Sequence, residues 1–430
     1  MTDADDRLSA DDARILALES PSLTGHTLKL MVLEPGSPVD LDALRASIAA
    51  RLDRQPRARQ RVEVDAPGGP RWVAADDFDI GDHVRRRVGT ACATPDDLRR
   101  EVSALMAEHL DRSRPLWTLD VIGPMADGSE AIAARMHHAM VDGIAGMKFL
   151  DAVLIDPHDA VPAATGAGAA GAPHGVLDEW SRLPQAIERE FGRPGSRSPF
   201  DRPITGARDL SFAVVPLGGL KAIGGSRPSR ATVNDVLLAV VSGGLRSWLG
   251  TTASHLDLRA QVPVSLHHRD EDAATGNRDS FINVDLQLDV EDPLERLDRI
   301  SALTGIEKQA GDAALLYDLF HALGVVPRVE SLAHRIADSS REFSVAISNV
   351  PGPRGRVAVA GRRVDRLFSS SEPGAHHALR IAAISHADDV GIGFCTDPTA
   401  IAGIDALADS VTEAYRALHR VALDAARDQR

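Results

Sequence analysis

Apolar positions along the chain fall into two kinds of run. Short, near-continuous apolar stretches occur at Thr27–Leu33 (TLKLMVL), Glu130–Met136 (EAIAARM), Ala260–Leu266, Ile282–Leu288, Ser344–Ile347, Leu379–Ser385 and Val390–Phe394. Their length and β-branched content predict strands. Between them lie longer stretches whose apolar residues recur with helical spacing: Asp40–Leu52, Leu98–His109, Gly143–Leu154, Thr232–Leu249 and Asp405–Leu418. The Thr232–Leu249 stretch carries Asn234-Asp235 at its start, residue types that cap helices. Strands and helices alternate on both sides of the chain's middle, which predicts an α/β (α+β) protein with two sheet-containing layers.

The middle itself breaks both patterns. VPAATGAGAAGAPHG at Val161–Gly175 has no periodic apolar face, and GRPGSRSPFDRP at Gly192–Pro203 is a second cluster of breakers. Val176–Phe191 between them has the spacing of a short helical piece. The organisation expected is an N-terminal domain over 1–155, a crossover region over 156–205 and a C-terminal domain over 206–430.

Composition narrows the classes. A balance of 48 basic against 62 acidic residues gives a formal charge of −14, which speaks against a chain that binds nucleic acid through its overall field. The acidic start MTDADDRLSADDARI has no basic region ahead of an apolar core, so no secretory signal is read there. No apolar run approaches the ~20 residues that span a bilayer. Cys92 and Cys395 stand far apart and form neither a disulfide framework nor a zinc motif; a cytoplasmic protein is the expectation.

The sharpest chemical signal is His137-His138-Ala139-Met140-Val141-Asp142-Gly143, where an apolar strand meets two histidines and an Asp-Gly pair opens a helix. Neighbours on a strand point to opposite faces, so His137 and His138 cannot share one role. A neutral imidazole is a general base suited to neutral pH. Asp142 can cap the following helix or pair with an arginine, and Gly143 permits close backbone approach. A structural histidine pair and a metal site are the alternatives these residues leave open.

The stretch MHHAMVDGIAGMKFL resembles the HHxxxDG signature of acyltransferases built on the chloramphenicol acetyltransferase-like fold, which peptide-synthetase condensation domains share. Further segments narrow the resemblance to the bacterial wax ester synthase/diacylglycerol acyltransferase family. Arg114-Pro115-Leu116-Trp117 is similar to its PLW motif, Thr232-Val233-Asn234-Asp235 to its ND motif, and Ser348-Asn349-Val350-Pro351-Gly352-Pro353 to its SNVPGP segment. Trp72-Val73, Phe78-Asp79, His83, Val262–Leu266 and Gly276-Asn277-Arg278 are also similar, in family order across nearly the whole chain.

The resemblance implies two chloramphenicol acetyltransferase-like domains with the active site in a channel at their interface. It implies transfer of a fatty acyl group from acyl-CoA to diacylglycerol or a long-chain alcohol, without a further cofactor. His138 would be the general base, His137 a support, Asp142 a holder of the loop, and Gly143 would keep the helix start close to the reacting centre. Asn234 would orient substrate or cap its helix with Asp235. Pro115 and Trp117 would pack, in the core or along the acyl channel, and Asn349 and Gly352 would form a rigid turn or a substrate-contacting loop. Access to lipid would need peripheral contact with the inner membrane or a lipid droplet.

Departures from the family pattern bear on the acceptor. LSADDARILALES lacks an aromatic residue expected near the start, and the surroundings of His376-His377 are polar. His267-His268 and His376-His377 lack the Asp-Gly continuation and read as solvent-facing or structural. Arg85-Arg86-Arg87 reads as a solvated face, or as an attractor of CoA phosphates or anionic lipid. Two rivals stand beside the acyltransferase: a condensation or transesterification enzyme fed by a carrier protein, and a non-catalytic lipid-binding protein of the same fold.

Overall fold

The computed structural model describes residues 6–66, 69–87, 93–141, 143–157, 198–265, 279–310 and 343–428. The low-complexity segment, Val176–Phe191, Asp142, Cys92, His267-His268 and Gly276-Asn277-Arg278 lie outside the described residues.

Before the crossover region the strands are β1 (His26–Leu33), β2 (Gln60–Glu63), β3 (Arg71–Ala74), β4 (Val84–Arg86), β5 (Trp117–Ile122) and β6 (Glu130–His137). After it come β7 (Asp209–Pro216), β8 (Arg259–Ser265), β9 (Asp279–Asp285), β10 (Val345–Val350), β11 (Ala358–Val359), β12 (Arg362–Ser371), β13 (Leu379–His386) and β14 (Asp389–Thr396). They form two six-stranded sheets, ordered β11-β12-β1-β6-β5-β4 and β7-β14-β13-β10-β8-β9, with β2-β3 as a separate ribbon.

The first sheet therefore draws strands from both sides of the crossover region. β12 pairs antiparallel with β1 along almost its full length, Thr27 opposite Ser371 and Met31 opposite Leu367. Arg362 at the start of β12 is anchored in the first half by the buried Glu130 carboxylate, which also receives Arg86, and by the Gly128 carbonyl at 3.0 Å. The strand was not visible as an apolar run because RRVDRLFSSS begins charged and ends in serines.

β1 and β6 are buried on both faces, as central strands covered by helices on each side should be. The helices Leu41–Ala49 and Gly143–Val153 pack on one face around Met31, Ile132, Met136 and Phe149. The helix Pro95–Ala107 packs on the other with Leu28, Leu30, Ala131 and Ala133, joined there by Leu210, Phe368 and Cys395 from the second half. Its start is fixed by a capping box between Thr94 and Asp97, with Pro95 in the first turn.

In the second sheet Val345, Ile347, Ile381, Ile392 and Phe394 face the helices Leu217–Ser226, Val233–Leu249 and Ile404–Asp428 in one apolar core. Val233–Leu249 with the tight turn up to His255 is long and apolar enough to span a bilayer, contrary to the reading of the bare sequence. It is buried without interruption from Asp235 to Leu245, which makes it the central helix of this core. The other face of the sheet meets the first. At that seam β14 runs so close to β12 that a β-carbon on Gly391 or Gly393 would lie 2.1 Å from the carbonyl of Leu367 or Ser369.

Most predicted elements are found within a few residues of their expected bounds. The strand expected at Ile282–Leu288 lies earlier, at Asp279–Asp285, because the Asp285 side chain accepts the Gln287 N–H at 2.7 Å and turns the chain there.

Candidate active site

β6 carries His137 at its end, and the alternation of the strand sets His137 and His138 on opposite faces. His137 is fully buried. Its Nδ1 accepts the Ala139 N–H at 3.0 Å, which assigns the ring proton to Nε2. Nε2 lies 3.0 Å from Glu19, whose carboxylate reaches Arg112 at 3.2 Å. On the remaining side stands Gly25, with φ of +70°. A β-carbon there would sit 2.2 Å from His137 Nε2. His137 is thus wedged between Gly25 and Glu19, a supporting position.

His138 turns the other way, to the face that carries Met136 and, across the register, Thr27 and Lys29. Its N–H donates to the Gly25 carbonyl at 2.8 Å. Burial, followed by the charges of Arg380, His137 and Lys29, pushes its pKa down to about 3. The residue as a whole is nevertheless partly accessible. At neutral pH this buried imidazole is neutral, the form a general base must have.

Residues after the crossover region complete the surroundings. Glu372, just past β12, accepts the Thr24 N–H at 2.7 Å, the Thr24 hydroxyl at 3.0 Å and the Gly25 N–H at 2.6 Å. Arg208 lies 3.5 Å from the same carboxylate. Glu372 thereby fixes the turn whose next carbonyl holds His138. The buried Lys29 donates to Ser369 Oγ at 2.6 Å.

Gly143 opens its helix against Val350; an added β-carbon would come 2.8 Å from a Val350 methyl. This contact joins the histidine motif to the Ser348–Pro353 segment. Gly352 makes the turn there, donating its N–H to Ser385 Oγ at 3.0 Å, and a β-carbon on it would lie 2.0 Å from the Ser385 carbonyl. Strand alternation sets Ser348 and Val350 toward the first sheet, whereas Asn349 shares the face of Val345 and Ile347 toward the helices.

The remaining expected site residues take structural positions. Asp235 caps its helix from inside, exchanging hydrogen bonds with Thr232 and accepting from Thr304 Oγ1 at 2.7 Å. Asn234 is half-buried in the same first turn, and among the described residues no hydrogen bond engages its side chain. Pro115 is buried, and Trp117 is buried with its indole N–H donated to the Ala58 carbonyl at 2.9 Å. The Trp117 ring stacks on His83 at 4.5 Å and meets the edge of Phe149 at 5.6 Å. His377 is buried on Phe343.

The arginine run is paired throughout: Arg85 with Asp120, Arg86 with Glu130, and Arg87 with Glu101 and Glu108. These guanidiniums are committed to the fold rather than offered to phosphates.

Gly25, Lys29, Glu372 and Arg380 were not singled out from the sequence. Lys29 and Arg380 left a signal, each being a cation amid a mainly apolar strand; Gly25 and Glu372 left none.

Comparison with known proteins agrees with this arrangement. The model of the wax ester synthase/diacylglycerol acyltransferase catalytic domain matches residues 8–174, and that of the family's C-terminal domain matches residues 275–419. A Mycobacterium tuberculosis protein described as a diacylglycerol O-acyltransferase is 30% identical over 90% of this chain and 90% of its own. Another from the same species is 29% identical over 98% of each. Among solved structures, the wax ester synthase/diacylglycerol acyltransferase of Marinobacter aquaeolei VT8 superposes with a TM-score of 0.71 at 23% identity, covering 97% of this chain and 99% of that one. The first condensation domain of the calcium-dependent antibiotic synthetase gives 0.63 at 16% identity, covering 97% and 96%. Both structural likenesses bear on the fold, which is the two-domain chloramphenicol acetyltransferase-like one. With both family models matched in order and the histidine motif seated where the two sheets meet, the chain belongs to the wax ester synthase/diacylglycerol acyltransferase family and is an O-acyltransferase.

Proposed function

We propose that the protein transfers a fatty acyl group from acyl-CoA to the hydroxyl of diacylglycerol or a long-chain alcohol, with His138 as general base. The observation that carries this reading is His138 itself: neutral, partly accessible, and held by its backbone to Gly25. The hydroxyl oxygen attacks the thioester carbon while its proton passes to the imidazole. The tetrahedral intermediate then expels the CoA sulfur, which takes the proton back from the imidazolium. An ester and free CoA leave, and no acyl-enzyme is required because the thioester already provides a good leaving group.

His137 supports the second histidine, and Gly143 with Val350 keeps the helix start against the Ser348–Pro353 segment. Burial of Trp117 and Pro115 favours a packing role for the PLW motif. The acceptor reaches the site from a membrane or droplet surface by peripheral contact, and the enzyme works on the cytoplasmic side.

One radiolabelled acyl-CoA offered with a panel of diacylglycerols, fatty alcohols and short hydroxyl compounds tests the reading. Ester formation with a diacylglycerol or a long-chain alcohol is expected. Turnover only when the acyl group arrives on a carrier protein would favour the condensation-type rival, and lipid binding without turnover would favour the non-catalytic one.

A further inference from the structure

His137 engages each of its polar atoms around the histidine motif. Its N–H donates to the Leu116 carbonyl at 3.0 Å, and its carbonyl accepts the Met140 and Val141 N–H groups at 2.9 and 3.2 Å. Its Nδ1 accepts the Ala139 N–H at 3.0 Å. These contacts form the turn that leaves β6 with His138 in it. A neutral ring accepts at Nδ1 only while Nε2 keeps the proton. That nitrogen meets Glu19 Oε1 at 3.0 Å. Both atoms are buried, and among the described residues neither has a hydrogen-bond partner elsewhere.

The chain places Glu19 here from a surface segment. The residue follows the helix Ala10–Ala17 and stands between two exposed residues, Leu18 and Pro21, yet its own side chain is only 7% exposed. Leu16, one turn earlier, shares an apolar cluster with Leu116 and Ala139, the two residues that bond His137. His109 donates from Nε2 to the Ser20 and Leu23 carbonyls at 2.9 and 3.1 Å and fixes the segment from the other side. The second oxygen of Glu19 lies 3.2 Å from Arg112, in the loop ahead of Pro115. A buried carboxylate is costly without donors; here one oxygen faces a ring N–H and the other a guanidinium.

We propose that Glu19 is a positioning residue for the general base. Facing the Nε2 proton, it fixes the tautomer and the ring plane of His137, keeps Nδ1 turned to the Ala139 N–H, and so holds the turn in which His138 stands. Glu19 neither touches the reacting atoms nor moves a proton; its effect reaches the substrate through His137 and the 137–141 turn. Misplacing a reacting group by about 1 Å costs on the order of 10²-fold in rate, so the loss of Glu19 falls on kcat rather than on acyl-CoA binding. This inference rests on the acyl-transfer reading above.

The test is a double-mutant cycle of Glu19→Ala and His137→Asn, with Glu19→Gln as the conservative variant. Glu19→Ala should lower kcat at least about tenfold while KM for acyl-CoA changes by less than about threefold. Glu19→Gln should keep at least about a third of the parent's kcat, because its amide oxygen still accepts from Nε2 while the half-exposed Arg112 turns to water. Asparagine can offer an oxygen to the Ala139 N–H but is too short to meet Glu19, so in the His137→Asn background Glu19→Ala should cost less than about twofold more. Melting midpoints of the same four proteins read the cycle without turnover: the double variant should melt at least about 2 °C above the sum of the two single losses. Equal kcat in the parent and Glu19→Ala, a Gln variant as poor as the Ala variant, or losses that combine independently in the double variant each overturn the proposal and leave the acyl-transfer reading intact. A rise in KM alone overturns it as well. A parent without turnover removes the acyl-transfer reading and this proposal with it.

Discussion

The imidazole of His137 occupies the space that a side chain on Gly25 would need, its Nε2 lying 2.2 Å from where the β-carbon would stand. The same glycine offers its carbonyl to the His138 N–H and its own N–H to Glu372. One residue with no side chain therefore sets the position of both histidines and ties them to the second half of the chain.

Gly25→Ala should accordingly be severe for so small a change. A left-handed conformation costs a non-glycine residue roughly 1–2 kcal/mol, and the methyl group must also displace His137. A lowered melting midpoint together with a loss of at least about tenfold in kcat is expected, read from thermal melts and acyl-transfer assays on the same preparation. Parent-like values in both would contradict the wedge.

Glu372→Ala strips the acceptor from two backbone N–H groups and a hydroxyl. Hydrogen bonds to charged groups contribute roughly 1.5–3 kcal/mol each, so denaturant unfolding should show a clear loss of stability. Activity should fall further than that of an equally destabilised variant remote from the site, because the Gly25 turn is what holds His138.

Gly143 and Val350 should be energetically coupled. Gly143→Ala forces its methyl to within 2.8 Å of Val350 Cγ2, and Val350→Ala removes that atom. In a double-mutant cycle the second change should recover part of the first, with a coupling on the order of 1 kcal/mol. Additive effects would mean that the two segments do not touch.

Acid should weaken the fold. Burial is the main cause that depresses the pKa values of His26, His83, His138 and His386. Below the ordinary histidine pKa of 6.5 the unfolded chain takes up protons that the folded one refuses, so these groups favour folding fully above that value and progressively less as pH falls beneath it. Unfolding midpoints measured from pH 8 to pH 4 should decline below about 6.5. The activity profile should show no acid limb near 6.5 from His138.

How much of this was legible follows the chemistry of each segment. β1, β6, β13 and β14 are mainly apolar and announce themselves, whereas β12 enters the first sheet on the strength of Arg362 and a serine-rich end that pairs with β1. Motif order placed His138, Gly143 and the Ser348–Pro353 segment, and the structure brings the last two into contact. Asn349 and Asp235 could be named as polar residues of interest, but which face a strand presents and which carbonyl a hydroxyl reaches depend on distant chain. The same holds for Glu372, which sits 347 residues from the glycine it binds.

If His138 takes the proton of the acceptor hydroxyl, kcat of purified His138→Ala, measured beside the parent with one acyl-CoA and its best acceptor, must fall. General-base catalysis of this kind is worth roughly 10²- to 10⁴-fold. A loss of that size is expected in a variant that melts like the parent and keeps its KM for acyl-CoA; equal turnover by the two proteins would show that His138 is not the base.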